Sequence, residues 1–165
     1  MAELDTHRKN VYHIASKIIT TREFESDDFR VRLPREAAAL ESITYGQGEE
    51  FLVKADGNYS LLQTYLAQAA AARSFFKRMA DMKETTLMGD PELQANAKND
   101  KERARNVSLD KDYIELQQYL RTAETVTVYL EKLSAAADAT LQVVKKIRDA
   151  ALSRKERDEN WAHAR

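Results

Sequence analysis

Cysteine is absent from this chain of 165 residues, and glycine and proline are scarce, at 4 and 2 residues. Without thiols the chain has no disulfide framework, no thiolate nucleophile, no iron–sulfur cluster and no cysteine-rich zinc site. Large sheet folds place turn residues between strands about every 8–12 positions, and so few glycines and prolines cannot supply them. Long apolar runs are missing as well. Glu3, Asp5, Arg8, Lys9 and Lys17 interrupt the N-terminal segment, which therefore lacks the apolar core of about 7–15 residues that a secretory signal needs. No stretch approaches the roughly 18 apolar residues of a membrane span, so a cytoplasmic location with no membrane contact is the expectation. An excess of one charge is lacking too. The 26 Lys and Arg stand against 27 Asp and Glu, leaving a net charge of −1.

What is present is 43 % hydrophobic and 32 % charged residues, a balance that belongs to a folded domain and not to a disordered chain. The expected fold is mainly α: two long antiparallel helices plus shorter helices, with a small β-hairpin element in the N-terminal third. Residues 1–58 read as an N-terminal helix and a strand-containing segment. Residues 59–165 read as a long-helix region for oligomerisation and nucleic-acid binding, the two parts forming one structural domain.

Val11, Ile14, Ala15, Ile18 and Ile19 recur at helical spacing and predict a helix over 6–21, with Asp5 or Thr6 as its cap. Phe29-Arg30-Val31-Arg32-Leu33 alternates like a strand until Pro34 ends it, and 36–41 fits a brief helix. Ile43-Thr44-Tyr45 and Phe51-Leu52-Val53 flank a Gly-containing loop, which predicts the hairpin. Asp56-Gly57-Asn58 reads as a turn. After it Leu62, Tyr65, Ala69, Ala72, Phe76 and Met79 form one helical seam over 59–86. Gly89 stops that helix, and Asp90-Pro91-Glu92 restarts the chain with a cap and a Pro at the first helical position.

The longest signal begins at Ser108. Leu109, Tyr113, Leu116, Leu120 and Ala123 open a seam that continues through Leu130, Ala137, Leu141 and Val144. A helix of 40 or more residues, about 60 Å long at 1.5 Å per residue, exceeds a compact chain of this size, whose radius of gyration is about 15 Å. Such a helix needs neighbours, and a homo-oligomer is the expectation.

Enzyme motifs are missing: no phosphate loop, no nucleophile elbow and no H-E-x-x-H pairing. His7, His13 and His163, the only histidines, read as surface residues. No catalysis, cofactor or metal is expected. The basic residues say more. Residues 1–60 hold 8 basic and 11 acidic side chains, and 61–165 hold 18 and 16. Arg73, Lys77, Arg78 and Lys83 gather late in the first long helix beside Phe75 and Phe76. Lys98, Lys101, Arg103 and Arg105 precede the second, and Lys145, Lys146, Arg148, Arg154, Lys155 and Arg157 lie near its end. Such clusters attract phosphate backbones by releasing counterions, and neighbouring aromatics can stack on unpaired bases. The competing reading is solvated faces paired with adjacent acids. Arg30 and Arg32 share a strand face, where charge also serves to block edge aggregation. Trp161 lies in a polar tail that no seam explains.

Residues 101–150, KERARNVSLDKDYIELQQYLRTAETVTVYLEKLSAAADATLQVVKKIRDA, resemble the C-terminal half of the UvsY-type recombination mediators of tailed phages. The likeness rests on Val107, Asp110, Lys111 and Asp112, on the seam from Leu116 to Ile147, and on Leu61 to Met82 with Gly89-Asp90 as the family's middle helix and glycine turn. It covers about 100 residues, mainly 61–150, and long charged helices carry few specific motifs. The resemblance implies a non-enzymatic, ring-forming oligomer that binds single-stranded DNA and helps load a recombinase against a single-strand-binding protein, in the host cytoplasm if phage-encoded. Paired basic residues late in the family's middle helix bind DNA. Lys77 and Arg78 stand in the comparable place, adjacent where the family separates them by one residue. With the cations of the first two basic clusters, the candidate nucleic-acid-binding residues are Arg73, Lys77, Arg78, Lys98, Lys101, Arg103 and Arg105. The alternative is a helical protein–protein interaction, scaffold or regulatory protein of phage or bacterial origin, with the long helix as an assembly surface.

Overall fold

Two apolar seams run through most of the sequence, and each becomes one helix. The computed structural model describes residues 2–16 and 31–163, and the protein is mainly α. Its helices are α1 (Ala2–Ser16), α2 (Ala37–Glu41), α3 (Tyr45–Met88, 44 residues), α4 (Asp100–Ser108, 9 residues) and α5 (Lys111–His163, 53 residues). Contacts divide the chain into two units, Met1–Ser16 with Tyr65–Tyr129 and Lys17–Thr64 with Leu130–Arg165. Within each unit α3 and α5 lie antiparallel. In the first, Lys83 meets Asp112 and Arg73 meets Glu124. In the second, Glu49 meets Arg148 and Gln63 meets Ser134.

In the first unit the seam alanines let backbones come close. Ala72 and Ala123 are fully buried, and Val11 of α1 packs with them against Phe75, Phe76, Ala80 and Leu116. Phe76, the largest fully buried side chain, touches the ring of Tyr119 at a centroid distance of 5.3 Å. In the second unit Ala55, Leu141 and Val144 form the core, with Phe51, Leu52 and Tyr59 against it. In both units the neighbour that covers the α5 seam is α3 of the same chain.

The expected hairpin is helix instead. Residues 45–53 open α3, and the Asp56-Gly57-Asn58 turn signal also lies inside that helix. The reason is packing. Phe51, Leu52, Ala55 and Tyr59 continue the seam of Leu62 backwards at helical spacing, and their burial against α5 outweighs glycine's penalty of about 1 kcal/mol in a helix. Gly48 is needed there, since a Cβ on it would stand 3.0 Å from Cα of Arg148. Thr44 and Gln47 start the helix as a capping box: Gln47 donates its N–H to the Thr44 hydroxyl at 3.3 Å, and Thr44 donates its N–H to Gln47 Oε1 at 2.9 Å.

Of the expected strand, Phe29 and Arg30 lie outside the described residues, and 31–34 carry no strand. The first helix spans 2–16 where 6–21 was expected, residues 17–21 lying outside the described residues. Asp90 accepts hydrogen bonds from the N–H groups of Glu92 and Leu93, but the segment after it is a run of turns, and helix resumes only at Asp100. There Asn99 accepts from the Glu102 N–H while Glu102 accepts from the Lys98 N–H. The long helix begins at Lys111 and not at Ser108. Leu109 is the 67 % exposed C-cap of α4, and Asp110 caps α5 by accepting from the Tyr113 N–H at 2.9 Å.

Candidate nucleic-acid interface

All seven candidate cations lie in the first unit, in two groups. Arg73, Lys77 and Arg78 are exposed on α3. The helical repeat that buries Ala72, Phe76 and Ala80 turns residues 73, 77 and 78 outward. Lys77 and Arg78 line one open groove of about 610 Å³ with Ser74, Asp81, Met82 and Thr85. Arg78 carries its guanidinium 5.8 Å from the centroid of the Phe75 ring and 4.0 Å from Glu3. Arg73 stands 3.9 Å from Glu124 of α5. Lys77 makes no ion pair among the described residues.

Lys98, Lys101, Arg103 and Arg105 are exposed on α4 and its approach. Arg103 lies 3.9 Å from Asp100. Arg105 occupies the last turn of α4, where a cation suits the negative end of the helix dipole. None of these four lines the groove that holds Lys77 and Arg78. The structure thus brings Lys77 and Arg78 together and leaves the α4 group as a separate cationic segment.

Several residues grouped with them are occupied elsewhere. Lys83 bridges Asp112 at 3.1 Å and Asp110 at 3.5 Å, clamping the end of α3 to the start of α5. The hydrogen bond to Asp112, then the charge of Asp110, raises its ammonium above the ordinary lysine value. Asp110 is held below the ordinary carboxylate value, first by the Tyr113 N–H and then by Lys83. Phe75 and Phe76 are 7 % and 0 % exposed, so they are core residues and not stacking platforms for bases. His7, expected at the surface, is half-buried. Its ring stacks on Phe75 at 4.5 Å, and its Nδ1 is buried without a hydrogen-bond partner among the described residues.

The C-terminal cluster divides. Lys145 and Lys146 are exposed. Arg148 pairs with Glu49 and Asp149, Arg154 donates to the Ile43 carbonyl at 3.0 Å, and Arg157 donates to the Ser153 carbonyl. Arg32 is exposed, and Trp161 is 70 % exposed. Among the described residues no group of three or more His, Asp or Glu could hold a metal ion, and no helix is long and apolar enough to cross a membrane.

Sequence reasoning missed a second groove in the same unit. Leu4, Met79, Met82, Leu116 and Tyr119 line a depression of about 360 Å³, rimmed by Lys83, Asp112 and Glu115. Tyr119 donates its hydroxyl to Glu115 and accepts from Arg8. The hydrogen bond to Glu115, followed by burial, raises the phenol above the ordinary tyrosine value. Its apolar members come from α1, α3 and α5 and share no linear motif. Comparison with protein-family models, curated proteins and solved structures finds no significant match for this chain.

Proposed function

We propose that this protein is a non-enzymatic, oligomeric single-stranded DNA-binding protein of the cytoplasm that assists recombinase loading against a single-strand-binding protein in homologous recombination and repair. The observation that carries the reading is the solvent-open groove bearing Lys77 and Arg78. Lys77 makes no ion pair among the described residues, and Arg78 lies over the Phe75 ring with Glu3 at 4.0 Å. Phosphates bind such cations by counterion release and need no enclosed pocket. Asp81 in the same groove limits the affinity of one copy, so several copies on one strand supply avidity. Arg73 and the α4 cations Lys98, Lys101, Arg103 and Arg105 extend the cationic surface. The recombinase and the single-strand-binding protein come from the family resemblance.

The test is a titration of fluorescent single-stranded DNA at several salt concentrations. Each phosphate contact on a single strand contributes about 0.7 to the slope of log affinity against log salt, so replacing Lys77 and Arg78 together by Ala should lower that slope by roughly 1.4. The helical circular dichroism should stay unchanged, because both side chains are exposed. Unchanged affinity and slope in the double variant remove these residues from the site, and no binding by the parent chain at low salt removes the DNA reading.

A second reading, a helical interaction protein, is favoured by the groove of Leu4, Met79 and Met82, with Met82 60 % exposed. Methionines adapt to irregular apolar partners. Under it Met82→Asp abolishes capture of a protein partner, while DNA does not bind even at low salt.

A further inference from the structure

The α3-facing side of α5 runs on past the point where α3 begins, and there it turns from apolar to charged. Leu141, Val144, Arg148 and Ala151 recur at steps of three and four along the face packed on α3, and Ala151 is 3 % exposed. Arg154 reaches the Ile43 carbonyl, just before α3 begins. The same face continues through Lys155, Asp158 and Ala162, all exposed. Beside them an open groove of about 800 Å³ runs between the α5 end and the corner at Ile43, Thr44, Tyr45 and Gly46. Lys155 lies 5.5 Å from the Tyr45 ring centroid and 3.8 Å from Glu159. This overhang spans about 16 Å at 1.5 Å per residue.

Its sequence states what fits there. Read outward from the point between Glu156 and Arg157, the segment Arg154-Lys155-Glu156-Arg157-Asp158-Glu159 reverses every charge: Glu156 against Arg157, Lys155 against Asp158, Arg154 against Glu159. A helix with that inversion complements its own antiparallel copy, and in a parallel copy every charge meets its like. Of these residues Lys155 and Asp158 lie exposed on the α3-facing side, at the rim of that groove, so they are the pair that meets face to face. Arg154 and Glu159 flank it.

We propose that the α5 end pairs antiparallel with the same segment of a second copy of this chain, about a twofold axis between Glu156 and Arg157, each Lys155 facing the second copy's Asp158. The second helix lies on the α3-facing side of α5, past the point where α3 begins. Its Ala162 comes to the Ile43–Gly46 corner, where Gly46 has open space around its Cβ position. Trp161 then falls on the flank that bears the second copy's Arg154, and an indole face receives a guanidinium well. A twofold contact is isologous and closes at two copies, unlike the ring that the family resemblance implies. The proposal deepens the oligomeric part of the reading above, which it would serve by joining copies for avidity, but its mass test does not depend on DNA binding. The contact is short and its central pairs are charged, so the dimer weakens as salt screens them.

The experiment uses the full chain, with mass in solution measured by light scattering and sedimentation, and with the fluorescence of Trp161, the only tryptophan. At low salt the parent chain should be a dimer with blue-shifted emission, dissociating at about 1 M salt, where the Debye length is about 3 Å. Lys155→Asp and Asp158→Lys each turn two attractive pairs into repulsive ones, and each should weaken the dimer by roughly tenfold or more. Mixed in equal amounts, the two variants restore both pairs and should return the dimer mass and the blue shift. A monomeric parent, a larger ring, a variant that dimerises like the parent, or a mixture that stays monomeric overturns the proposal. A DNA titration of Lys155→Asp keeps the two readings apart: its monomer retains Lys77 and Arg78 and should still bind at low salt, more weakly for want of a paired copy, whereas a parent that does not bind DNA removes only the DNA reading.

Discussion

Lys83, Asp110 and Asp112 show how a few charges set a helix junction. Asp110 caps α5 through the Tyr113 N–H and also receives the Lys83 ammonium, so one carboxylate both starts the long helix and ties it to the end of α3. Replacing Asp110 by Ala should lower Tm by roughly 2–4 °C, the usual effect of a lost cap in a chain of this size, whereas Asn, which also caps, should lower it less. The pH dependence follows from the shifts. The Asp110 pKa is lowered, so its contribution is present above the ordinary value of 3.8 and is lost as pH falls through its lower folded value. The Lys83 pKa is raised, so its contribution is present below 10.5 and is lost as pH rises through its higher folded value. Thermal melts of the parent and Asp110→Asn at stepped pH should therefore differ above pH 4 and converge below it. A constant offset at every pH would remove the ionised carboxylate from the junction.

At the scale of the element, α3 holds glycines that do opposite things. A Cβ at Gly46 meets nothing within 4 Å, while one at Gly48 meets the Arg148 backbone at 3.0 Å. Gly46→Ala should stabilise the protein by up to about 1 kcal/mol through helix propensity alone. Gly48→Ala gains the same propensity but forces α3 and α5 apart, an overpacking that costs about 1–3 kcal/mol, so it should destabilise overall. Chemical denaturation of the two variants decides this, and shifts of the same sign would put the helix contact elsewhere. These glycines also mark where the sequence was legible and where it was not. The seams from Leu62 to Met79 and from Leu116 to Val144 could be read directly, because 3.6-residue periodicity survives without any partner in view. The start of α3 was hidden: Gly46, Gly48 and Gly57 look like turn residues until Arg148 is seen packed against one of them. Only the Thr44–Gln47 capping box announced the helix locally. The candidate site was half legible. Lys77 and Arg78 were legible as part of a basic cluster late in the first seam helix, but that Lys83 of the same cluster is consumed by two carboxylates depends on chain 29 residues away.

For the whole molecule, the division into two units has a consequence for stability. The boundaries fall inside α3, between Thr64 and Tyr65, and inside α5, between Tyr129 and Leu130. Each unit keeps its own pairing of α3 with α5, so what links them is the continuity of the two helices: unfolding one unit makes new helix ends in the other, with unpaired backbone groups at each. The two cores, around Phe76 in one unit and around Leu141 and Val144 in the other, should therefore melt together. Phe76→Ala removes about 3–5 kcal/mol and Leu141→Ala about 2–5 kcal/mol, each a large share of the roughly 5–15 kcal/mol that holds an ordinary domain. Each truncation should lower one shared transition, seen at the same temperature by circular dichroism, which follows both units, and by hydrogen exchange at amides of the unit that was not altered. Exchange protection around Leu141 that survives in Phe76→Ala at a temperature where the first unit has opened would show that the units unfold independently. In that case the continuity of α3 and α5 would not couple them.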